Sequence, residues 1–434
     1  MRCSDRRTAE GEHPPLPTAV VLCGGGARGA YEVGVLQFIY EKLLPRAAGQ
    51  RLFDVFAGTS VGALNACSLA CMAHQPREGM QLLVDYWRSV TMDRLLRFGP
   101  EEMARLPNVV LGRRVGFDFL RTRLRPPRPS AAPHPPVAGV FNTSPLYQEM
   151  RREILWDLLQ DNLRSGSVRG VAVCATEVCT SKSVIFYQMA PNAEYRKSKD
   201  GAKEERAVCI GVEHAMASSA IPFIFPAIQI NGVCFMDGAF RNNAPLSPAL
   251  RMDASRVLVV GLAQPPEQKY ATARMGCRRT PFPGSLFLLG RTVRAVMDGV
   301  LEREIQHMEM FNEILRQGRE TYGAEFLENL NRVARGYRNA DYRTVHVQQV
   351  RPSRNLNDLA IEALRDAPHE IGLPGVPGKL VKNILTSAPL VESELSSFLM
   401  FTPSYVNKLL HLGYRDAERQ QEELSRFFFA DDRQ

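Results

Sequence analysis

Short apolar runs alternate with longer stretches of helical spacing along the first part of the chain. Three of these runs, Ala19–Cys23, Phe53–Ala57 and Val233–Met236, have the length and composition of buried strands. A glycine-containing turn follows each run, and after the first two turns the pattern changes to helical spacing. This alternation predicts the α/β class, with a mostly parallel sheet and helices on its faces.

The same pattern predicts the remaining elements. Helices are expected near 29–44, 63–73, 79–88, 146–164 and 211–219, and strands near 169–175, 183–189, 256–263 and 343–350. The charged stretch 192–206 is expected to be a solvated loop. From about 284 the chain is predicted to be mainly helical. The spacing of apolar residues in the tail 392–429 favours helices that pack back on the core over a membrane anchor.

These stretches divide the chain into three parts. Residues 1–17 are polar, lack the apolar stretch of a signal peptide and are expected to form a disordered tail. Residues 18–262 carry the alternating strands and helices, with an insertion near 98–143 that is rich in Pro, Gly and Arg. Residues 263–434 are predicted to form a mainly helical part that packs on this core.

The turn after the second strand contains a candidate nucleophile. Gly58-Thr59-Ser60-Val61-Gly62 has the G-x-S-x-G pattern of a nucleophile elbow, in which a strand turns sharply and continues as a helix. The backbone of such a turn is strained, so its neighbours must be small. The hydroxyl of Ser60 is therefore predicted to lie exposed at a helix N-terminus, which favours developing negative charge. The alternative is a glycine-rich turn that contains a serine by chance.

The turn after the first strand has two interpretations; its sequence is Gly24-Gly25-Gly26-Ala27-Arg28-Gly29. It matches G-x-G-x-x-G, the dinucleotide fingerprint, but the nearest acidic candidate for a ribose contact, Asp54, starts the second strand instead of ending it. Alternatively, the glycines expose backbone N–H groups and form an oxyanion-binding loop with the helix behind it. Arg28 then adds a fixed charge, braces the loop, or is an ordinary solvated arginine.

The third turn supplies a candidate base. Asp237 follows an apolar run and precedes Gly238 and Ala239, so its carboxylate has one polar exit, toward the same sheet edge as Ser60. A lone Asp-Gly pair is more often a hairpin turn. Burial beside an apolar strand would raise the carboxyl pKa above its usual value of about 4 and let Asp237 accept the Ser60 proton.

Composition narrows the function further. The nine cysteines are scattered, mostly in apolar runs, and are expected to be reduced residues of a cytosolic protein. No zinc or calcium pattern and no membrane-spanning run appears, so no metal or other cofactor is expected. The net charge of +8 fits an anionic membrane surface as well as ordinary solubility, and no nucleic-acid motif accompanies it. A cytoplasmic protein, free or peripheral at a membrane, is expected; its oligomeric state is open.

One segment of the insertion is a candidate membrane contact. Residues 113–128 hold six arginines together with phenylalanines and leucines, and the prolines that follow disfavour a stable helix. The segment either touches anionic lipid as a flap over the site or forms a solvated, variable loop.

Four segments resemble, in family order, the patatin-like phospholipase family of bacterial type: GGGARG, GTSVG, ASSAIPFIFP and DGAFRNNAPL. The resemblance covers roughly residues 18–262. It implies a three-layer α/β/α fold with a mostly parallel central sheet, to which the pattern adds a helical C-terminal extension. It also implies a lipid acyl hydrolase of phospholipids, lysophospholipids or glycerides. Ser60 would be the nucleophile, Asp237 the proton acceptor, and the backbone amides of the loop 24–29 the oxyanion hole.

Three other classes stay open. An α/β-hydrolase esterase would use a Ser-Asp-His triad, but none of the eight histidines follows a strand within a suitable loop. A dinucleotide-binding oxidoreductase would use the glycine loop for phosphate. An inactive lipid-binding or scaffold protein would keep the fold without the reaction. Labelling of Ser60 by a fluorophosphonate would support either hydrolase and exclude the other two classes.

Overall fold

The computed structural model describes residues 17–47, 51–99, 102, 139–265, 285–370, 382–383 and 396–430. Within these residues the centre of the molecule is a sheet of nine strands. The strands are β1 (Thr18–Leu22), β2 (Val55–Thr59), β3 (Gly170–Glu177), β4 (Ser183–Met189), β5 (Lys203–Ala207), β6 (Ile228–Ile230), β7 (Val233–Asp237), β8 (Arg256–Val260) and β9 (His346–Val350).

Five neighbouring strands run parallel, in the order β3-β2-β1-β8-β9. Leu22, at the end of β1, is paired with Gly58 on one side and with Val260 on the other, so the turns after these strands open on one edge of the sheet. On the far side, β7 pairs antiparallel with β3 and matches Asp237 with Ala175. Because the neighbouring β3 residue, Cys174, is paired with Thr59, the end of β7 reaches the same edge.

Helices cover both faces of the sheet and complete a three-layer α/β/α fold with a helical C-terminal extension. Their bounds are α1 (Gly29–Lys42), α2 (Val61–Cys71), α3 (Pro76–Ser89), α4 (Met92–Leu95), α5 (Ser144–Glu153), α6 (Trp156–Arg164), α7 (Val212–Ser218), α8 (Leu246–Arg251), α9 (Ser285–Tyr322), α10 (Glu325–Arg338), α11 (Leu356–Asp366), α12 (Ser396–Leu399), α13 (Pro403–Arg419) and α14 (Gln421–Phe429).

Glycines allow the C-terminal helix α13 to pack directly on α1. A Cβ atom on Gly34 would lie 2.1 Å from the carbonyl oxygen of Leu410, and one on Gly413 would lie 2.1 Å from that of Tyr31. The hydroxyl of Tyr31 also donates to Asp416 Oδ2 at 3.1 Å. The tail is therefore fixed to the helix that begins at the glycine loop.

Two elements differ from the sequence prediction. The helix expected at 146–164 is two helices, α5 and α6, because Ile154 between them has an extended backbone (φ −92°, ψ 122°). The stretch 192–206, expected to be a loop, contains most of β5, which pairs with β4 at the edge of the sheet. Charged side chains are common on edge strands, where they discourage pairing with other chains.

Some predictions fall outside the residues that the structure describes. These are residues 1–16 of the predicted tail and the basic segment 113–128. Among the described helices, none has an apolar stretch long enough to cross a membrane.

Candidate active site

Ser60 occupies a strained turn between β2 and α2. Its backbone has φ 54° and ψ −128°, in the left-handed half of conformational space that residues other than glycine rarely adopt. A Cβ on Gly58 would lie 2.2 Å from the carbonyl oxygen of Gly62, and one on Gly62 would lie 2.4 Å from that of Leu22. No side chain fits at either position, so the two glycines of the pattern are required by the turn itself.

Two hydrogen bonds connect this turn with other parts of the chain, and a third holds one of the partners. The amide of Ser60 donates to Ser218 Oγ at 2.8 Å, and the Ser218 hydroxyl donates to the carbonyl oxygen of Cys174 at 2.5 Å. The hydroxyl of Thr59 donates to the carbonyl oxygen of Asn242 at 2.7 Å. The strained backbone of Ser60 is thus held by β3, by the end of α7 and by the segment after Asp237.

The hydroxyl of Ser60 contacts the carboxylate of Asp237. Ser60 Oγ donates to Asp237 Oδ2 at 2.6 Å, and the amide of Ala239 donates to Asp237 Oδ1 at 2.8 Å. Asp237 is fully buried, and Ser60 is only 2% exposed, so the prediction of an exposed Ser60 hydroxyl is wrong: its oxygen is turned to Asp237. Burial raises the pKa of the Asp237 carboxyl to about 7, although both hydrogen bonds act to lower it. Ser60 and Asp237 therefore form a hydrogen-bonded pair in which the carboxyl can exchange a proton near neutral pH.

The glycine loop passes beside Ser60. A Cβ on Gly24 would lie 3.0 Å from Ser60 Cβ, and Gly26 lines the same cavity as Ser60. The amide of Gly24 is already used, because it donates to Asn243 Oδ1 at 2.9 Å. Among the described residues, the amides of Gly25, Gly26 and Ala27 have no hydrogen-bond acceptor. These three amides are the donors of the loop that remain available to a ligand.

Arg28 is buried and braces the loop from below. Its Nε and Nη2 donate to Ser397 Oγ at 3.0 and 2.6 Å, and its guanidinium lies 4.2 Å from the centre of the Phe398 ring. The side chain is 4% exposed, so the interpretation of Arg28 as a solvated surface arginine is wrong. The backbone of Phe398 also approaches the loop, since a Cβ on Gly26 would lie 2.1 Å from its carbonyl oxygen.

A second buried network supports the other side of the loop. The amide of Cys23 donates to Glu32 Oε1 at 2.7 Å, and the Asn65 side chain donates to Glu32 Oε2 at 3.0 Å. The indole of Trp87 donates to Asn65 Oδ1 at 3.0 Å. Burial raises the pKa of Glu32 well above its usual range. The network connects the start of the glycine loop with α2 and α3.

A mostly apolar cavity of about 330 Å³ opens beside Ser60. Its walls come from α2, α3 and α5, together with Ile221, Phe225 and Phe401. The ring of Phe401 stacks on Trp87 at 6.4 Å, so the C-terminal segment also contributes to the cavity wall. An apolar cavity of this volume with a few polar groups at one end is typical of a small-molecule site.

The dinucleotide interpretation is not supported by the position of Asp54. Its Oδ2 accepts the amide of Thr18, the first residue of β1, at 2.9 Å. Asp54 therefore lies at the amino ends of the parallel strands, on the sheet edge opposite the glycine loop. A carboxylate there cannot contact a ribose whose phosphate is bound by that loop.

Among the described residues, no histidine forms a hydrogen bond with the side chain of Ser60 or Asp237. The one buried histidine found there, His214, accepts the amide of Gly211 at Nδ1 and packs 4.8 Å from the Phe186 ring centre. Burial lowers its pKa. Nor do the described residues bring together three or more His, Cys, Asp or Glu side chains that could hold a metal ion.

Comparison with known proteins assigns the family. A family model described as patatin-like phospholipase matches residues 20–250, more than half of the chain. The chain belongs to the patatin-like phospholipase family. This membership supports lipid hydrolase activity. No curated protein matches the chain.

The chain is also similar, at low identity, to solved structures. VipD from Legionella pneumophila is 14% identical, with a TM-score of 0.34, and the match covers 94% of this chain and 67% of that one. Human GIVD cytosolic phospholipase A2 in complex with methyl gamma-linolenyl fluorophosphonate is 13% identical, with a TM-score of 0.41, covering 95% of this chain and 59% of the human one. A second structure of the human enzyme is 12% identical, with a TM-score of 0.30, covering 62% and 49%.

Proposed function

We propose that this patatin-like protein hydrolyses fatty-acyl esters of phospholipids, lysophospholipids or glycerides with a Ser60–Asp237 dyad. The observation that carries the proposal is the 2.6 Å hydrogen bond from Ser60 Oγ to a fully buried carboxylate. A general base works best when its pKa is close to the working pH, and burial raises the pKa of Asp237 to about 7. The apolar cavity beside Ser60 supplies a place for an acyl chain.

In the first step Ser60 Oγ attacks the ester carbonyl carbon. Asp237 Oδ2 takes the hydroxyl proton as the C–O bond forms, and the carbonyl oxygen becomes an oxyanion. The available amides of the glycine loop donate to this oxyanion, since the loop passes beside Ser60. The tetrahedral intermediate then collapses, the proton on Asp237 passes to the leaving alcohol, and an acyl-serine remains.

In the second step water releases the acyl group. Asp237 accepts a proton from the water as its oxygen attacks the acyl-serine carbonyl, and the same amides hold the second oxyanion. Collapse breaks the bond to Ser60 Oγ, which takes the proton back from Asp237. The products are a free fatty acid and the regenerated dyad.

The rest of the chain has supporting roles in this proposal. Residues 18–262 are the catalytic core, and the described part of 263–434 packs on it and braces the glycine loop through Ser397. We infer a cytoplasmic protein that works at a lipid surface, and the basic segment 113–128 stays a prediction for anionic-lipid contact.

The experiment compares the wild-type protein with Ser60→Ala on 4-nitrophenyl butanoate and on phosphatidylcholine vesicles, with folding checked by circular dichroism. We expect wild type to release product from both and Ser60→Ala to be inactive while folded. The control, Ser165→Ala, changes an exposed hydroxyl far from the cavity and should behave as wild type. Substantial turnover by a folded Ser60→Ala protein would show that Ser60 is not the nucleophile. A wild-type protein that binds vesicles but cleaves neither substrate would indicate a lipid-binding role.

A further inference from the structure

The cavity beside Ser60 follows one face of α2. The α2 residues that line the cavity are spaced by three or four positions along most of the helix. They are Val61, Leu64, Asn65 and Ser68, and Met72, which directly follows α2, also lines the cavity. At a rise of about 1.5 Å per residue, Ser68 lies about 12 Å beyond Ser60 along the helix and Met72 about 18 Å beyond it. The long axis of the cavity is therefore set by α2.

Apolar side chains form the facing walls. Leu83, Tyr86 and Trp87 face α2 from α3, and Leu146 and Met150 face it from α5. At the end of the lined face of α2, α3 packs directly on Met72, since a Cβ on Gly79 would lie 2.3 Å from Met72 Cβ. The lined face thus runs from the Ser60 hydroxyl to Met72, where α2 and α3 are in contact.

The length of this cavity matches one acyl chain of a membrane lipid. The hydrocarbon core of a bilayer is about 30 Å thick, so a chain that spans one leaflet is about 15 Å long. The distance along α2 from Ser60 to Met72 is comparable. Ser68 is the small residue between Leu64 and Met72 on the lined face, and a larger side chain there would separate the far third of the cavity from Ser60.

We propose that one extended acyl chain lies along α2, with its carbonyl carbon at Ser60 and its methyl end at Met72, and that Ser68 determines how long a chain can enter. This inference rests on the proposed acyl-hydrolase function and adds its selectivity for acyl length. The substrate class is an ester of a long, unbranched fatty acid, whichever alcohol it is attached to.

The test measures kcat/KM for 4-nitrophenyl esters from butanoyl to palmitoyl with wild type, Ser68→Ala, Ser68→Leu and Ser68→Phe. Each methylene that no longer enters the cavity loses about four-fold, equivalent to about 0.8 kcal/mol. The palmitoyl-to-butanoyl ratio should therefore stay near the wild-type value in Ser68→Ala and fall in Ser68→Leu and further in Ser68→Phe, by at least about ten-fold in the latter. Gln81→Phe is the matched control, because it adds the same side chain to an exposed position of α3 outside the cavity, and its ratio should equal that of wild type.

A second variant tests the far end independently of Ser68. Met72→Ala lengthens the cavity and should shift the preferred acyl length upward. Equal ratios in wild type and a folded Ser68→Phe, or an unchanged length preference in Met72→Ala, would overturn the inference while hydrolysis of the butanoyl ester leaves the proposed function standing. Failure of wild type to cleave any ester would instead contradict the proposed function itself.

Discussion

Arg28 and Ser397 lie 369 positions apart in the chain, yet Nε and Nη2 of Arg28 donate to the Ser397 hydroxyl at 3.0 and 2.6 Å. Arg28 belongs to the glycine loop that passes beside Ser60. Ser397 lies in α12, outside the stretch 20–250 that matches the family model. The C-terminal extension therefore reaches the part of the fold that would bind the oxyanion.

We expect Ser397→Ala to lower both stability and turnover. Hydrogen bonds to charged groups contribute about 1.5–3 kcal/mol, so the free energy of unfolding should fall by about that amount. The loop would be held less firmly, so kcat on a short-chain ester should fall more than KM rises.

Ser425→Ala is the matched control for this variant. Ser425 accepts a hydrogen bond from Arg46 at 2.8 Å on an exposed surface, and that guanidinium also lies over a phenylalanine ring, Phe429. Its replacement should change neither kcat nor unfolding by more than a few tenths of a kcal/mol. Equal behaviour of the two variants would mean that Ser397 has no special role at the loop.

The activity should depend on pH through the Asp237 carboxyl. The dyad needs Asp237 ionised, and burial raises its pKa to about 7. For a short-chain ester, kcat/KM should therefore rise about ten-fold per pH unit below 7 and level off above it. A rise in kcat/KM that is centred near pH 4 instead would show that the Asp237 carboxyl is not the buried base proposed.

The free energy of unfolding should also depend on the Asp237 proton, but it should fall with rising pH, whereas the activity should increase. The folded protein holds the Asp237 proton more tightly than the unfolded chain does, so this carboxyl contributes stability that is complete below about pH 4 and is lost as the pH rises to about 7. The difference between a pKa of 3.8 and one of about 7 corresponds to about 4 kcal/mol. Asp237→Asn removes the titration and keeps the shape.

We therefore expect Asp237→Asn to be more stable than wild type at pH 8, by up to about 4 kcal/mol, with the gap closing toward pH 4. Urea unfolding at several pH values measures it. Asp161→Asn, a change at an exposed carboxylate of α6, should follow wild type throughout. An Asp237→Asn variant that is less stable than wild type at pH 8 would contradict the burial of an ionised carboxylate at this position.

The meeting of Ser60 and Asp237 could be predicted from the sequence because the signals of both residues are local. Ser60 lies in a five-residue pattern whose glycines are required by the turn, and Asp237 directly follows an apolar strand. Ser218 and Asn243 lie in segments that carry the family resemblance, but spacing alone does not reveal that they hold the amides of Ser60 and Gly24.

Other partners of the site had no local signal. Glu32 is one of two acidic residues in α1, and its contacts with Cys23 and Asn65 depend on how α1 packs on α2. The sequence indicates that Arg28 belongs to a loop. It does not indicate that the side chain is buried against the loop, because its partner Ser397 comes from the far end of the chain. Local hydrophobic patterns specify the elements, whereas these contacts follow from tertiary packing.

A histidine panel distinguishes the dyad from a triad. His214 lies on α7 with Ser218 but bonds to Gly211 and packs on Phe186. Replacing it or any other histidine with alanine should leave most of the esterase activity in a protein that folds, as judged by circular dichroism. One folded histidine variant as inactive as Asp237→Asn would show that a histidine is the base.

The rate at which a fluorophosphonate probe labels Ser60 tests the dyad most directly, because this reaction needs the activated hydroxyl and no particular lipid. Mass spectrometry of wild type should find one adduct, on Ser60, and none on Ser60→Ala. A general base contributes about 10²–10⁴-fold, so labelling of Asp237→Asn should be slower by about that factor. Labelling of Asp237→Asn at the wild-type rate, or an adduct on another residue, would contradict the account.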